Sequence, residues 1–279
     1  MVRRSVLFSP GDDGAKLRKA IGSDADVVVF DLEDAVAPAA KPAAREAVRD
    51  ALADVLPADP EVCVRVNPVG QGAAADLDVV LSGPHPDAVV LPKTSGAADV
   101  DRLTALLSDH GVALPVLALV ESAAGVLHAE AIAAADATVA LVFGAEDLAG
   151  DIGATRTSGG AEVSHARQHV VLAARAAGVD PIDTLYTAYE DHEGLRADTE
   201  TAVGLGYDGK LAIHPAQATV INEVFTPTAE RLAWAERILA ARDAADGGVF
   251  VVDGEMVDAP QVRQAERVVA RAEAARDRP

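Results

Sequence analysis

Residues 139–153 read VALVFGAEDLAGDIG. The apolar run VALVF is built for a core, yet it ends within a few residues in Glu146, Asp147 and then Asp151. An uninterrupted apolar, β-branched run is what a strand needs when both faces are covered, as in a parallel sheet with helices on each side. Two adjacent carboxylates at the end of such a strand have no packing role. In parallel α/β folds, the C-terminal strand ends are where chemistry is placed.

The same pattern recurs along the chain. Short apolar runs fall at 5–9 (SVLFS), 26–34 (DVVVFDLED), 62–67 (VCVRVN), 88–93 (AVVLPK), 115–122 (PVLALVES), 138–147 (TVALVFGAED), 184–190 (TLYTAYE) and 210–215 (KLAIHP). Between them lie amphipathic stretches with apolar positions every three or four residues, among them 41–54, 97–111 and 164–178, with 228–245 as the last crossover helix. Eight such units suit a closed barrel better than an open doubly wound sheet, whose first turn would carry GxGxxG where this chain has SPGDDG. The fold class is α/β: a (β/α)8 TIM barrel over residues 1–245, with a C-terminal hairpin and helix extension over 246–279. GGVFVVDGEMVDAP (247–260) reads as a hairpin turning at Asp253-Gly254, and 261–276 as a helix. A barrel does not need this tail, so it is expected to cover the mouth or a neighbouring subunit.

Composition narrows the function. The net charge of −20, from 44 acidic and 24 basic residues, repels nucleic acid and anionic membranes. It would repel an anionic substrate too, unless salt shortens the Debye length to about 3 Å at 1 M. Only five of the bases are lysines (Lys16, Lys19, Lys41, Lys93, Lys210), and that depletion points to a salt-rich cytoplasm, as in halophiles. One cysteine, Cys63, allows no internal disulfide or cysteine-based zinc site and fits a reducing, cytoplasmic location. No run approaches the roughly 20 apolar residues of a membrane span, and the N-terminal apolar run is too short for a signal peptide.

The strand ends carry the chemistry. Strand two ends in Asp31, Glu33 and Asp34; strand three carries Arg65 and Asn67; strand four ends in Lys93. Strand five ends in Glu121, strand six in Glu146 and Asp147, and strand eight in His214-Pro215. One such acid alone reads as a helix cap. Several on one rim repel each other unless a cation sits among them. Magnesium takes one or two protein carboxylates plus water and substrate oxygens, so Glu121 and Asp147 on neighbouring strands are the expected ligands, with Glu33, Asp34 or Glu146 one step back. Arg65, inside an apolar strand, needs an anion: a substrate carboxylate, an enolate oxygen or a rim acid. Lys93 faces the same choice. His165 and His169 lack the glutamate of a zinc-protease helix, Cys63 reads as core, GQG at 70–72 is too sparse for a phosphate cradle, and His214 reads as shaping its turn.

With these residues placed, the chain resembles the citrate lyase β-subunit-like (HpcH/HpaI aldolase/citrate lyase) family of CoA-thioester lyases, related to malyl-CoA, β-methylmalyl-CoA and citramalyl-CoA lyases. The motifs are RSVLFSPG, VVFDLEDAVAPAAKPAAR, VRVNP, VLPK, LVES, FGAEDLAGDIG, GYDGKLAIHPAQ, FTP and DGEMVDAP. The resemblance implies a Mg2+ cofactor on Glu121 and Asp147, Arg65 as a catalytic and substrate-binding arginine, and Asp258 as a catalytic carboxylate delivered to an adjacent subunit's site. It implies substrate contacts from Phe8, Lys16, Lys41, Ala145, Glu146, His214 and Pro215, with Arg45 beside Lys41 on the acyl-CoA side, and a homotrimer or homohexamer. The first loop departs from the family, with Asp12 and Asp13 where some relatives carry a basic residue. The implied reaction is reversible cleavage of malyl-CoA or β-methylmalyl-CoA to a 2-oxo acid, glyoxylate, and acetyl- or propionyl-CoA. Alternatives are a citramalyl-CoA lyase or citryl-thioester lyase β subunit, a malyl-CoA thioesterase or malate-synthase-like enzyme, and a non-catalytic metabolite-binding barrel.

Overall fold

The computed structural model describes residues 2–56, 60–245 and 248–276. The chain runs β1 (Ser5–Pro10), α1 (Gly14–Ile21), β2 (Val27–Asp31), α2 (Lys41–Leu52), β3 (Glu61–Arg65), α3 (Ala73–Val80), β4 (Ala88–Leu91) and α4 (Ala97–Asp109). Then come β5 (Val116–Val120), α5 (Ala123–Leu127), α6 (Ala129–Ala133), β6 (Thr138–Phe143), α7 (Ala145–Asp151), α8 (Ser164–Ala177), β7 (Asp180–Asp183), α9 (His192–Leu205), β8 (Gly209–Ala212) and α10 (Pro215–Phe225). The chain ends with α11 (Ala229–Ala244), β9 (Phe250–Val252), β10 (Glu255–Val257) and α12 (Ala259–Arg276).

Strands β1 to β8 close a parallel barrel in sequence order, β8 returning to β1 through Ser5↔Lys210 and Val6↔Leu211. Alternate residues fill the interior: Val6, Val27, Val29, Cys63, Val90, Leu117, Leu119, Ala140, Val142, Ile182 and Leu211 form one cluster. The other parity, such as Leu7, Phe30, Leu91 and Phe143, is equally buried on the helix side, which is why these strands read as continuous apolar runs. Between β5 and β6 the register slips by one, Val116 lying opposite Thr138 and Leu117 opposite Ala140, so Val139 is the extra residue.

Two expectations need correction. The seventh strand is Asp180–Asp183, not 184–190. TLYTAYE has the aromatic and β-branched residues that strands favour, whereas DPID resembles a turn. The barrel nevertheless accepts DPID: the Pro181 carbonyl receives the Asp208 N–H at 2.9 Å, and Asp183 is neutralised by Lys210 and Arg167. The helix following β8 is α10, which the sequence reading passed over in favour of 228–245.

Residues Arg3–Asn222 form one compact unit, and a second begins at Glu223. In the second, α11, the β9–β10 hairpin and α12 enclose Ala235, Ile238, Val257 and Ala265. The hairpin turns at Asp253 and Gly254, with φ of 51° and 84°, as a tight two-residue turn of this hand requires. Asp246 and Gly247, where the extension and its hairpin were expected to start, lie outside the described residues. Among the described residues no helix is long and apolar enough to cross a membrane.

Candidate active site

The ends of β5 and β6 bring two acids together. Glu121 follows β5 and is only 3 % exposed; its Oε1 accepts the Lys93 backbone N–H at 2.7 Å. After β6 the chain turns at Gly144 into the first turn of α7, which carries Glu146 and the exposed Asp147. A Cβ at position 144 would lie 2.6 Å from the Glu121 Cβ and 2.9 Å from its Oε2, so the two strand ends can approach only because position 144 has no side chain. Burial, reinforced by the neighbouring Asp147 carboxylate, pushes the Glu121 carboxyl up to about 8.

Both acids line a cavity of about 320 Å³ with Phe8, Asp31, Arg65, Ala145, Glu146, Leu119, Leu185 and Leu211. Arg65 ends β3 and is anchored from behind: Nε and Nη2 fork the buried Asp31 at 2.7 and 2.6 Å, and Nη1 lies 2.9 Å from Glu33 Oε2. Phe8 covers the guanidinium, its ring centre 5.0 Å away. Burial alone would disfavour the Arg65 charge, but Asp31 and Glu33 outweigh it and raise its pKa. Sequence left open whether Arg65 meets a rim acid or a ligand; its fork holds Asp31 while the guanidinium lines the cavity.

Behind this wall Glu33 is buried and Asp34 exposed, and the Lys93 ammonium bridges them, to Glu33 Oε1 and to Asp34 at 3.1 Å. Lys41, expected to face the substrate, donates instead to the Leu32 and Glu33 carbonyls (3.0 and 3.1 Å) and to Asn67 Oδ1. An ammonium has three N–H donors, so these contacts use all of them. Arg45 likewise turns to the buried Asp76 at 2.7 Å, and Asp76 also receives Asn67 Nδ2. Lys41 therefore braces the loop after β2, and Arg45 ties α2 to α3.

A second cavity, about 370 Å³, brings together Phe8, Lys16, Lys19, His214 and Pro215. His214 Nδ1 lies 3.2 Å from the Ala216 N–H, and its ring stacks obliquely on Tyr189 at 5.7 Å, which fits its reading as a turn residue. Asp13 caps α1, accepting the Ala15 and Lys16 N–H groups. Asp258 lies in the second compact unit just after β10; it is exposed, and its carboxylate has no partner among the described residues. Among the described residues no three His, Cys, Asp or Glu side chains gather as a metal site, so Glu121 and Asp147 stand as a pair.

Residues 4–215 match the family model described as HpcH/HpaI aldolase/citrate lyase. The chain belongs to this family. A citrate lyase subunit beta-like protein of Deinococcus radiodurans is 41 % identical over 274 residues, 96 % of either chain. A (3S)-malyl-CoA thioesterase of Cereibacter sphaeroides is 38 % identical, covering 97 % of this chain and 95 % of its own. In three dimensions the chain is similar to CitE from Mycobacterium tuberculosis, solved with magnesium, acetoacetate and coenzyme A. The TM-score is 0.83 at 40 % identity, over 98 % of both chains.

Strand-end reasoning singled out Glu121, Asp147 and Arg65, which line one cavity, but undervalued three neighbours. Asp31 was one rim acid among several, although an arginine in the adjacent strand calls for a carboxylate at the same level, and Asp31 pairs in register with Arg65. Gly144 gave a signal in the GAED motif, a glycine directly before the acids. Lys93 gave none beyond its charge.

Proposed function

We propose that this chain, a carbon–carbon lyase acting on CoA thioesters, reversibly cleaves a short 3-hydroxyacyl-CoA that carries a carboxylate beside its hydroxyl carbon, using magnesium held by Glu121 and Asp147. The favoured substrates are malyl-CoA and β-methylmalyl-CoA, which yield glyoxylate and acetyl- or propionyl-CoA. The observation that carries the reading is that Glu121, Asp147 and Arg65 line one cavity. Two carboxylates, one with its pKa pushed up by burial and further by the other, suit a hard divalent ion that keeps water and substrate oxygens in its remaining positions. When bound, the ion supplies positive charge for the hydroxyl and carboxylate oxygens of the substrate.

Arg65, fixed by Asp31, gives a preorganised cation for anionic oxygen, and it need not reorient as charge develops. A base takes the hydroxyl proton, and the bond between the hydroxyl carbon and the thioester α-carbon breaks. Its electron pair goes to the α-carbon, leaving a 2-oxo acid and an acyl-CoA enolate. Asp258, in its acid form, then gives a proton to the enolate carbon and regains one from the base that took the hydroxyl proton. Its exposed, unpartnered carboxylate suits delivery to the barrel of a neighbouring subunit in a homotrimer or homohexamer.

The 38 % identity to a (3S)-malyl-CoA thioesterase favours one second reading, hydrolysis to malate and free CoA. The test is a panel of malyl-, β-methylmalyl-, citramalyl- and citryl-CoA, with and without EDTA, at high potassium chloride. Glyoxylate from the first two, abolished by EDTA, is expected. Pyruvate from citramalyl-CoA alone would move the substrate, malate without glyoxylate would favour hydrolysis, and a flat panel would leave a metabolite-binding barrel.

A further inference from the structure

Asp151, the third acid of the stretch that follows β6, takes no part in the reaction proposed above. It is the last residue of α7, and it is exposed. In the last turn of a helix a negative charge meets the negative end of the helix dipole, so nothing within α7 favours an aspartate there. A partner outside α7 does. Asp151 Oδ2 accepts the Ala123 N–H at 2.7 Å, across 28 residues of sequence. Ala123 opens α5, just past Glu121. Local capping does not account for this bond, because α5 has its own cap in Ser122, whose Oγ accepts the Gly125 N–H.

The bond lies beside the acid pair. β5 and β6 pair as far as Val120 and Phe143, and the Gly144 N–H still reaches the Val120 carbonyl at 3.0 Å. Past that level one chain continues through Glu121 into α5 and the other into α7. Away from the two carboxylates, one hydrogen bond rejoins these segments among the described residues, that of Asp151 with Ala123. At the start of α7 the Ala145 N–H meets Thr184 Oγ1, beyond β7, at 3.1 Å; the tie toward α5 is at its other end. The seven residues of α7 are too few for a helix stable alone, and it runs between Gly144 and Gly153, the latter at φ 67°. Asp147 and Asp151 stand one turn apart, hence on one face of α7. We propose that Asp151 is a positioning residue: by taking the Ala123 N–H it fixes the Asp147 face of α7 against the segment that carries Glu121, and so sets the spacing at which the two carboxylates share a divalent cation. The cation rests on the function proposed above; the tie between α5 and α7 does not.

The test is calorimetric titration of the full-length chain with magnesium chloride in about 1 M potassium chloride, where a Debye length of about 3 Å mutes the charge of an exposed side chain. Asp151→Ala is expected to weaken magnesium binding about tenfold, the order of one charged hydrogen bond. It should also speed amide exchange of the segment 121–128 in the metal-free chain. Asp151→Asn keeps an acceptor oxygen and should hold both readouts within about twofold of the parent. Ser122→Ala removes the local cap of α5 but leaves the tie to α7, so magnesium affinity should again stay within about twofold. The proposal is overturned if Asp151→Ala binds magnesium as the parent does, or if Asp151→Asn loses as much, which would make the charge and not the bond the cause. It is equally overturned if Ser122→Ala weakens binding in step, or if affinity falls while exchange in 121–128 stays parental. A parent that binds no magnesium removes the metal pair and this role together. A flat thioester panel with these magnesium shifts intact would sink the proposed reaction and leave the role of Asp151 standing.

Discussion

A methyl group at position 144 would fall 2.6 Å from the Glu121 Cβ, a distance that real Cβ contacts do not show. Neither side can yield easily, because the Gly144 N–H is bonded to the Val120 carbonyl at 3.0 Å and Glu121 is held by the Lys93 N–H. Gly144→Ala should therefore displace Glu121 while leaving the barrel folded. A shift approaching 1 Å at a reacting centre costs on the order of 100-fold in rate. The check is steady-state turnover beside magnesium titration and circular dichroism, and an alanine variant with parental turnover would show that the position of Glu121 is immaterial. Acids at strand ends were legible because an unpaired charge has no business ending an apolar strand. Gly144 and Asp31 were harder to read because their importance lies across the gap between strands, and a single sequence shows no gaps.

At the scale of the element, β7 and β8 depend on a charge network buried between strand and helix. Lys210, fully buried, donates to Asp183 at 2.7 Å and to the Thr184 carbonyl at 2.8 Å, and pairs with Asp198 at 2.5 Å; Arg167 from α8 forks Asp183 at 2.8 and 2.6 Å. Lys210→Met removes one of the two cations that neutralise the buried Asp183. The expected cost is about 3–5 kcal/mol, read as a lower urea midpoint at constant slope. An unchanged midpoint would mean that Arg167 alone suffices. Asp198 gives the network a pH dependence. Burial would raise its carboxyl, but the Lys210 and Arg167 charges outweigh burial and hold it below its ordinary value. A depressed carboxylate contributes stability that is present above the unfolded value near 4 and is lost as pH falls through the folded one. Asp198→Asn should therefore lower the melting temperature at pH 7, and the loss should shrink as pH falls below about 4 and the native carboxylate protonates. This network also explains the missed strand. DPID carries no apolar period to detect, and its two aspartates look like turn signals until Arg3, Lys210 and Arg167 are seen to neutralise them.

At the scale of the whole molecule, the residues of the proposed reaction fall in two compact units. Glu121, Asp147 and Arg65 belong to the unit Arg3–Asn222, and Asp258 to the one that begins at Glu223. The barrel was readable because every strand but β7 repeats one apolar pattern, whereas the start of the second unit was not, since α11 looks like any crossover helix until its partners Val257 and Ala265 are known. If Asp258 serves the neighbouring subunit, two dead variants can rescue each other. Asp258→Asn keeps an intact metal pair but lends no acid; Glu121→Gln lacks the metal pair but can still lend Asp258. Co-expressed in equal amounts and assembled at random in a closed ring, about one site in four joins an intact barrel to an intact Asp258. The mixture should then recover about a quarter of the parental activity, although each variant alone is inactive. If Asp258 acted within its own chain, every barrel in the mixture would lack one group or the other, and activity would stay at the level of the separate variants.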